Sequence, residues 1–231
     1  MTTQRLADLF AATWPDRPSA VGFARVDKIP PGVAEWQHPS TSACQFWREG
    51  TRRLFAAGAA HGECPVGRMT QGFPVDIAAD GGVITLMAEI GYIDHFELDH
   101  LATLPQGHAA IVYGPLAVFP VDPEAVLVFA DASQLMLISE ALGTARLDGA
   151  GLALGGRPTC VAIPRAISYA TVQGSLACVG ARVYADLEPG EMLVVIPAGR
   201  VDELADGLER LLPANRQLEE LHTAVRARIR G

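Results

Sequence analysis

All four cysteines of this 231-residue chain fall in two stretches that read as copies of one unit. The first runs from Cys44-Gln-Phe-Trp-Arg-Glu-Gly to Glu63-Cys64-Pro-Val-Gly-Arg68. The second runs from Thr159-Cys160-Val-Ala-Ile-Pro-Arg to Ala177-Cys178-Val-Gly-Ala-Arg182. Each is a cysteine, a helix-compatible stretch, a glycine-bearing turn, a second cysteine, and then glycine and arginine. A fold built from two such units relates them by a pseudo-twofold axis, and residues near that axis meet their counterparts. The pattern therefore predicts that four thiolates converge on one cofactor.

The surrounding hydrophobic pattern extends the correspondence. Ser19–Val26 is a short apolar run after Pro18, and Ala125–Ala130 plays the same part after Pro123; both read as strands. Gly82–Ala88 after the first unit and Glu191–Ile196 after the second read as further strands. Helical spacing follows in each case, over Ile93–Leu104 and over Val201–Leu212, the latter stopped by Pro213. The expected fold is α/β (or α+β), with two pseudo-symmetric strand–helix–strand–helix halves packed as one body. The halves run from about 18–105 and 122–212, and a terminal helix covers 214–230. Gly107–Phe119 reads as a buried strand broken at Gly114-Pro115. Ser133–Leu142 reads as a helix with Ser133 as its N-cap and Gly143 as its stop.

Composition narrows the partners. Net charge is −8, and phosphate binding needs a basic footprint, so nucleic acid is not the expected partner. The apolar runs around Ile111–Phe119 and Val126–Ala130 are too short to span a bilayer, and no membrane partner is expected. The N-terminal stretch reads as an amphipathic helix rather than a secretory signal. The expected compartment is the cytoplasm, where thiols stay reduced and structural disulfides are rare. The alternating charges of the terminal helix suit a solvated face or a homodimer contact.

Cys44, Cys64, Cys160 and Cys178 are the candidate cofactor and metal ligands. Cys44 and Cys160 precede helix-like stretches, where a helix dipole lowers a thiol pKa. Cys64 and Cys178 precede glycine turns whose amides can reach a thiolate or sulfide. Taken singly, a cysteine is more often a small buried hydrophobe; four in paired contexts point to ligation. No C-x-x-C occurs, so zinc-ribbon and ferredoxin spacings are absent. A four-thiolate site suits an iron–sulfur cluster, the expected cofactor, with zinc as the alternative. Arg48, Arg68, Arg157 and Arg182 lie beside the cysteines. Arg68 and Arg182 occupy the same place in each unit and are the candidates to bind an anionic small-molecule substrate. Of the histidines, His61 is nearest a cysteine in sequence, while His95 and His100, five apart, make a poor metal pair. Gly149–Gly156 is glycine-rich but lacks the lysine and spacing of a phosphate loop.

The segments Cys44-Gln-Phe-Trp-Arg-Glu-Gly, Cys64-Pro-Val-Gly, Gly156-Arg-Pro-Thr-Cys160 and Ser175-Leu-Ala-Cys-Val-Gly-Ala-Arg-Val-Tyr184 resemble the motifs of the family catalogued as domain of unknown function 169. Glu191 with Val194-Val-Ile-Pro197 fits that family's closing segment. The resemblance runs from about Val21 to Leu212. It implies no settled activity; the family's occurrence in anaerobic bacteria and archaea is compatible with an oxygen-sensitive cofactor.

Two functions are thus expected. One is a cysteine-ligated, iron–sulfur-binding protein with redox or Lewis-acid chemistry on a small anionic or sulfur-containing substrate. The other is a non-catalytic metal, cluster or small-molecule binding or sensor protein with structural cysteines.

Overall fold

A computed structural model of the protein describes residues 2–39, 41–76, 82–143 and 152–230. Its centre is one mixed eight-stranded sheet of order β2-β3-β4-β1-β5-β8-β7-β6. The strands are β1 (Val21–Val26), β2 (Ala34–Glu35), β3 (Phe55–Gly58), β4 (Ala110–Pro115), β5 (Ala125–Ala130), β6 (Ala153–Gly155), β7 (Gln173–Ser175) and β8 (Met192–Pro197). At one edge β2 runs parallel to β3, and pairing is antiparallel from β3 through β4 to β1. At the other edge β6 runs parallel to β7, and pairing is antiparallel from β7 through β8 to β5. The two series meet where β1 and β5 pair antiparallel, Val21 opposite Leu127 and Phe23 opposite Ala125.

Period-two alternation sends the strand residues to two separate cores. Phe23, Phe55, Ile111, Tyr113, Leu127, Phe129, Leu193 and Val195 face the side that also holds the cysteines. That side is covered by α2 (Ala43–Gly50), α3 (Pro65–Thr70), α7 (Ala162–Tyr169) and α8 (Val179–Tyr184), with a 3-10 turn over Thr159–Val161 leading into α7. Val126, Val128, Ala130, Val194 and Ile196 face the opposite side. There α1 (Thr2–Thr13), α6 (Ala132–Ala141) and the base of α9 (Val201–Arg230) supply Leu6, Phe10, Ile138, Leu204 and Leu208. α6 and α9 approach so closely that a Cβ at Gly207 would lie 2.0 Å from the Ala141 carbonyl oxygen. Glycine is the residue that contact admits.

Among the described residues between α3 and β4 lie the helices α4 (Gly82–Glu89) and α5 (His95–Asp99). α4 corrects the strand expected over Gly82–Ala88. Ile84 is buried and Met87 and Ala88 are half-buried, which is i, i+3, i+4 spacing, whereas a strand would bury alternate residues. The strand that returns to β1 in this part of the chain is β4.

Two helix boundaries also differ. The N-cap of α6 is Asp131, not Ser133: its side chain accepts from the Gln134 N–H at 2.9 Å, and Gln134 reaches back to the Asp131 N–H. This capping box satisfies two backbone donors at once. Pro213 does not end the last helix, which runs unbroken to Arg230. Pro213 is exposed, so the carbonyl its missing N–H leaves free can face water, and the usual cost of an interior proline is reduced. Past Pro213 almost every residue is exposed. Among the described residues no helix is long and apolar enough to cross a membrane.

Candidate functional site

Each cysteine sits at the N-terminal end of a helix or helical turn on the same face of the sheet. Cys44 is in the first turn of α2 and Cys160 in the 3-10 turn before α7. Cys64 is the N-cap of α3, whose first residue, Pro65, has the fixed φ a helix start needs. Cys178 is the N-cap of α8, and its sulfur accepts from the Ala181 N–H at 3.5 Å. Cys64 and Cys178 are thus built into helix starts rather than the free-standing turns expected from the sequence. α2 packs against α8, and α3 against the turn that carries Cys160. The cysteine-bearing elements of the two units therefore pack against each other.

All four sulfur-bearing residues line one cavity of about 890 Å³. None is in a disulfide. Burial pushes the Cys160 thiol up to about 12, and the nearby Cys64 and Cys178 add to the shift. Burial likewise holds Cys44 well above its ordinary value, with further contributions from Cys160, Cys178 and Cys64 and opposition from the Ser42 hydroxyl. The Thr70 hydroxyl opposes the shift at Cys160. Sulfurs that raise one another's pKa share one electrostatic environment, and adding one negative charge there disfavours the next. Among the described residues, however, no three His, Cys, Asp or Glu side chains are gathered closely enough to hold a metal ion.

The rest of the wall is mainly apolar. Met87, Ile90, Ile93 and Phe96 from the α4–α5 segment face Leu154, Val179 and Tyr184 from β6 and α8. Among the described residues two arginines line it, Arg157 and Arg165. Arg157 is engaged: its Nη1 lies 3.0 Å from a Glu97 carboxylate oxygen, and its guanidinium stacks 4.8 Å from the Tyr92 ring centre.

Arg68 and Arg182, expected to hold substrate, lie outside the cavity wall. Arg182 donates to the carbonyls of Leu176 at 2.7 Å and Glu188 at 3.1 Å; Arg68 donates to the Pro74 carbonyl at 2.6 Å. Both tie a short helix to the loop after it. In each case the residue five positions later also bonds back to the arginine's own carbonyl, Phe73 at 2.9 Å and Leu187 at 3.1 Å. Their shared place in the two units corresponds to a shared structural job. Arg48 joins the units instead. It pairs with Glu191 at 2.6 Å, donates to the Ala185 carbonyl at 2.7 Å and lies over the Phe129 ring.

His61 accepts from the Gly58 N–H at 3.0 Å and does not line the cavity. His100 does line it, stacked on Phe96 with ring centres 4.0 Å apart. Of the glycine-rich stretch, 149–151 lie outside the described residues and Ala153–Gly155 form β6. The α4–α5 contribution was hidden from sequence reasoning. Its residues are far from any cysteine in the chain, and the only available signal was the density of large apolar residues between Val83 and Phe96.

No curated protein and no solved structure matches the chain. Residues 14–207 match the family DUF169, described as an uncharacterised ArCR family, and the chain belongs to it.

Proposed function

We propose that the cysteine-lined cavity holds an iron–sulfur cluster and presents it to a small molecule bound in the remaining space. The observation that carries this reading is convergence. The only four cysteines in the chain, all reduced, come from two distant segments to line one cavity. The donor set fits: four thiols match a cluster with four thiolate ligands. The helix starts favour negative charge, which a thiolate-ligated cluster carries. A cluster spreads its ligands over a larger volume than a single tetrahedral ion, and zinc is the alternative for the same four thiols. When bound, such a cluster supplies electron transfer or Lewis acidity at an iron. The chain's own contribution is to hold the ligands at helix starts, surround them with mainly apolar walls and offer Arg165 to a substrate's anionic part. A reducing compartment such as the cytoplasm suits this chemistry.

We further infer that the two cysteine units descend from a duplication. In support, each series of strands starts from a parallel pair and continues antiparallel to the central strand. Cys44 and Cys160 also enter the helices after β2 and β6, and Cys64 and Cys178 cap the helices after β3 and β7. A second reading, that of a non-catalytic small-molecule binding protein, is favoured by the mainly apolar wall and by the two thiols held protonated.

Anaerobic purification with iron and sulfide analysis decides between them. Roughly four irons per chain with visible sulfur-to-iron absorbance are expected, bleached in Cys64→Ser and Cys178→Ser. A colourless protein that takes up no iron on anaerobic reconstitution overturns the cluster and leaves the binding protein.

A further inference from the structure

We infer that the part of this cavity beyond the cysteines binds an amphiphilic carboxylate: an apolar alkyl or aryl body carrying one anionic group. The inference rests on the reading of the cavity as the functional site but not on the identity of its cofactor. Ile90, Phe96, Val179 and Tyr184 line the cavity, yet each is more than half exposed, at 67%, 69%, 65% and 53%. Large apolar side chains concentrated around one opening form the kind of patch that a ligand or partner covers. Here they continue into an open cavity of the size small-molecule sites have, about 890 Å³. An apolar body entering between the α4–α5 segment and α8 removes these surfaces from water, which ordinary hydrophobic transfer favours.

The charge follows from the wall's ionic side chains, which among the described residues are Glu63, Glu97, Arg157 and Arg165. Glu97 and Arg157 neutralise each other at 3.0 Å. Glu63, next to Cys64, is left as an unpaired carboxylate among the described residues, and Arg165, on α7 one turn beyond Cys160, is left as the cation: it makes no hydrogen bond or ion pair with any described residue and is the group of the wall that can take an anion. A planar guanidinium receives a carboxylate with two parallel hydrogen bonds. The ligand's polar end is therefore placed at Arg165 and its apolar body along Ile90, Phe96 and Val179. This changes the expected substrate from a small anion to one that is mostly apolar.

The test is binding of decanoate and 4-phenylbutyrate to the full chain, by calorimetry, each against its uncharged alcohol. Saturable one-to-one binding is expected for one or both acids, and the arm that binds more tightly tells alkyl from aryl. The matching alcohol should bind about tenfold more weakly or worse, the worth of a charge-assisted hydrogen bond. Arg165→Ala should erase that preference and Arg165→Lys should restore part of it. Phe96→Ser should weaken acid and alcohol together. Circular dichroism and melting temperature establish that the variants fold; Arg165 and Phe96 are exposed, so both substitutions are tolerable. Equal affinity for acid and alcohol, a preference that survives in Arg165→Ala, or no saturable binding by either acid overturns the inference. Iron analysis on the same samples separates the two readings. Selective acid binding without iron leaves this site standing and removes the cluster, and iron-loaded protein without acid binding does the reverse.

Discussion

The segment carrying β1 to β4 and the segment carrying β5 to β8 pair their strands in the same pattern, and they differ in what has been added between strands. Both place a cysteine at a helix start after the edge strand and another at a helix start after the next strand. The first segment alone inserts α4 and α5, which wall the cavity. The second alone inserts α6 and is followed by α9, which with α1 cover the opposite face of the sheet. On that face the first segment has only a small cluster of Val33, Ala56, Ala110 and Val112. Shared structure positions the sulfurs; unshared structure sets what enters the cavity and how thickly the back of the sheet is covered.

Substitutions can probe each side of this contrast. The largest effect is expected where the two segments are joined by charge. Arg48→Leu leaves Glu191 buried at 5% side-chain exposure without its cation and should cost about 3–5 kcal/mol in urea unfolding. The double variant Arg48→Leu, Glu191→Leu should recover much of this. A double variant no better than the single one would show that the pair is not what joins the segments.

Next comes the thick outer layer. Leu204→Ala, at a fully buried position on α9, should destabilise by about 2–5 kcal/mol and leave the cavity's ligand or metal content per folded chain unchanged. A parallel loss of content would mean that the two faces of the sheet are not separable.

Arg182→Ala and Arg68→Ala test the matched structural role. Each removes charge-assisted bonds to loop carbonyls, worth about 1.5–3 kcal/mol at most, and Arg182, with bonds to Leu176 and Glu188, should cost at least as much as Arg68. A selective loss of ligand affinity without loss of stability would return both to substrate binding.

Alkaline titration of metal-free protein probes the shared sulfurs. The Cys160 thiol holds its proton more tightly folded than unfolded, about 12 against an ordinary 9.0. Its contribution is therefore complete below pH 9 and is lost as pH rises toward 12. At pH 10 the loss should be on the order of 1 kcal/mol, and Cys160→Ala should flatten that part of the stability profile. A profile unchanged by the substitution would place the thiol in contact with water. Smallest of all, Leu218→Ala on the projecting part of α9 should alter stability by less than about 0.5 kcal/mol. A concentration-dependent drop in melting temperature in that variant would instead mark this helix as a contact between copies.

What was legible in the sequence was what repetition or periodicity encodes. Convergence of Cys44, Cys64, Cys160 and Cys178 on one cavity follows from their paired contexts, and β1, β5 and β8 follow from short β-branched runs. The run Gly82–Ala88 has the same composition, and periodicity alone does not tell such a run from a helix turned to the core on one side. The capping box at Asp131 and Gln134 was present in the chain, but Ser133 drew the helix start two residues late. Arg68 and Arg182 share a sequence position and the same kind of bonds to loop carbonyls, and sequence alone does not distinguish such a role from sharing a ligand. The cavity's apolar wall depends on α4–α5 folding back over α8, a long-range event that no local spacing announces.

The docking of α1 on α9 sets an order of events during synthesis. Leu6 and Phe10 are buried against a core that includes Leu204 and Leu208, and Arg5 pairs with Glu209, 204 positions away. α1 thus waits, with its apolar side uncovered, until α9 has emerged. The cysteine-bearing face has no such dependence on α1. It can assemble as soon as β8 joins the sheet, leaving the closing of α1 onto α9 as a later step.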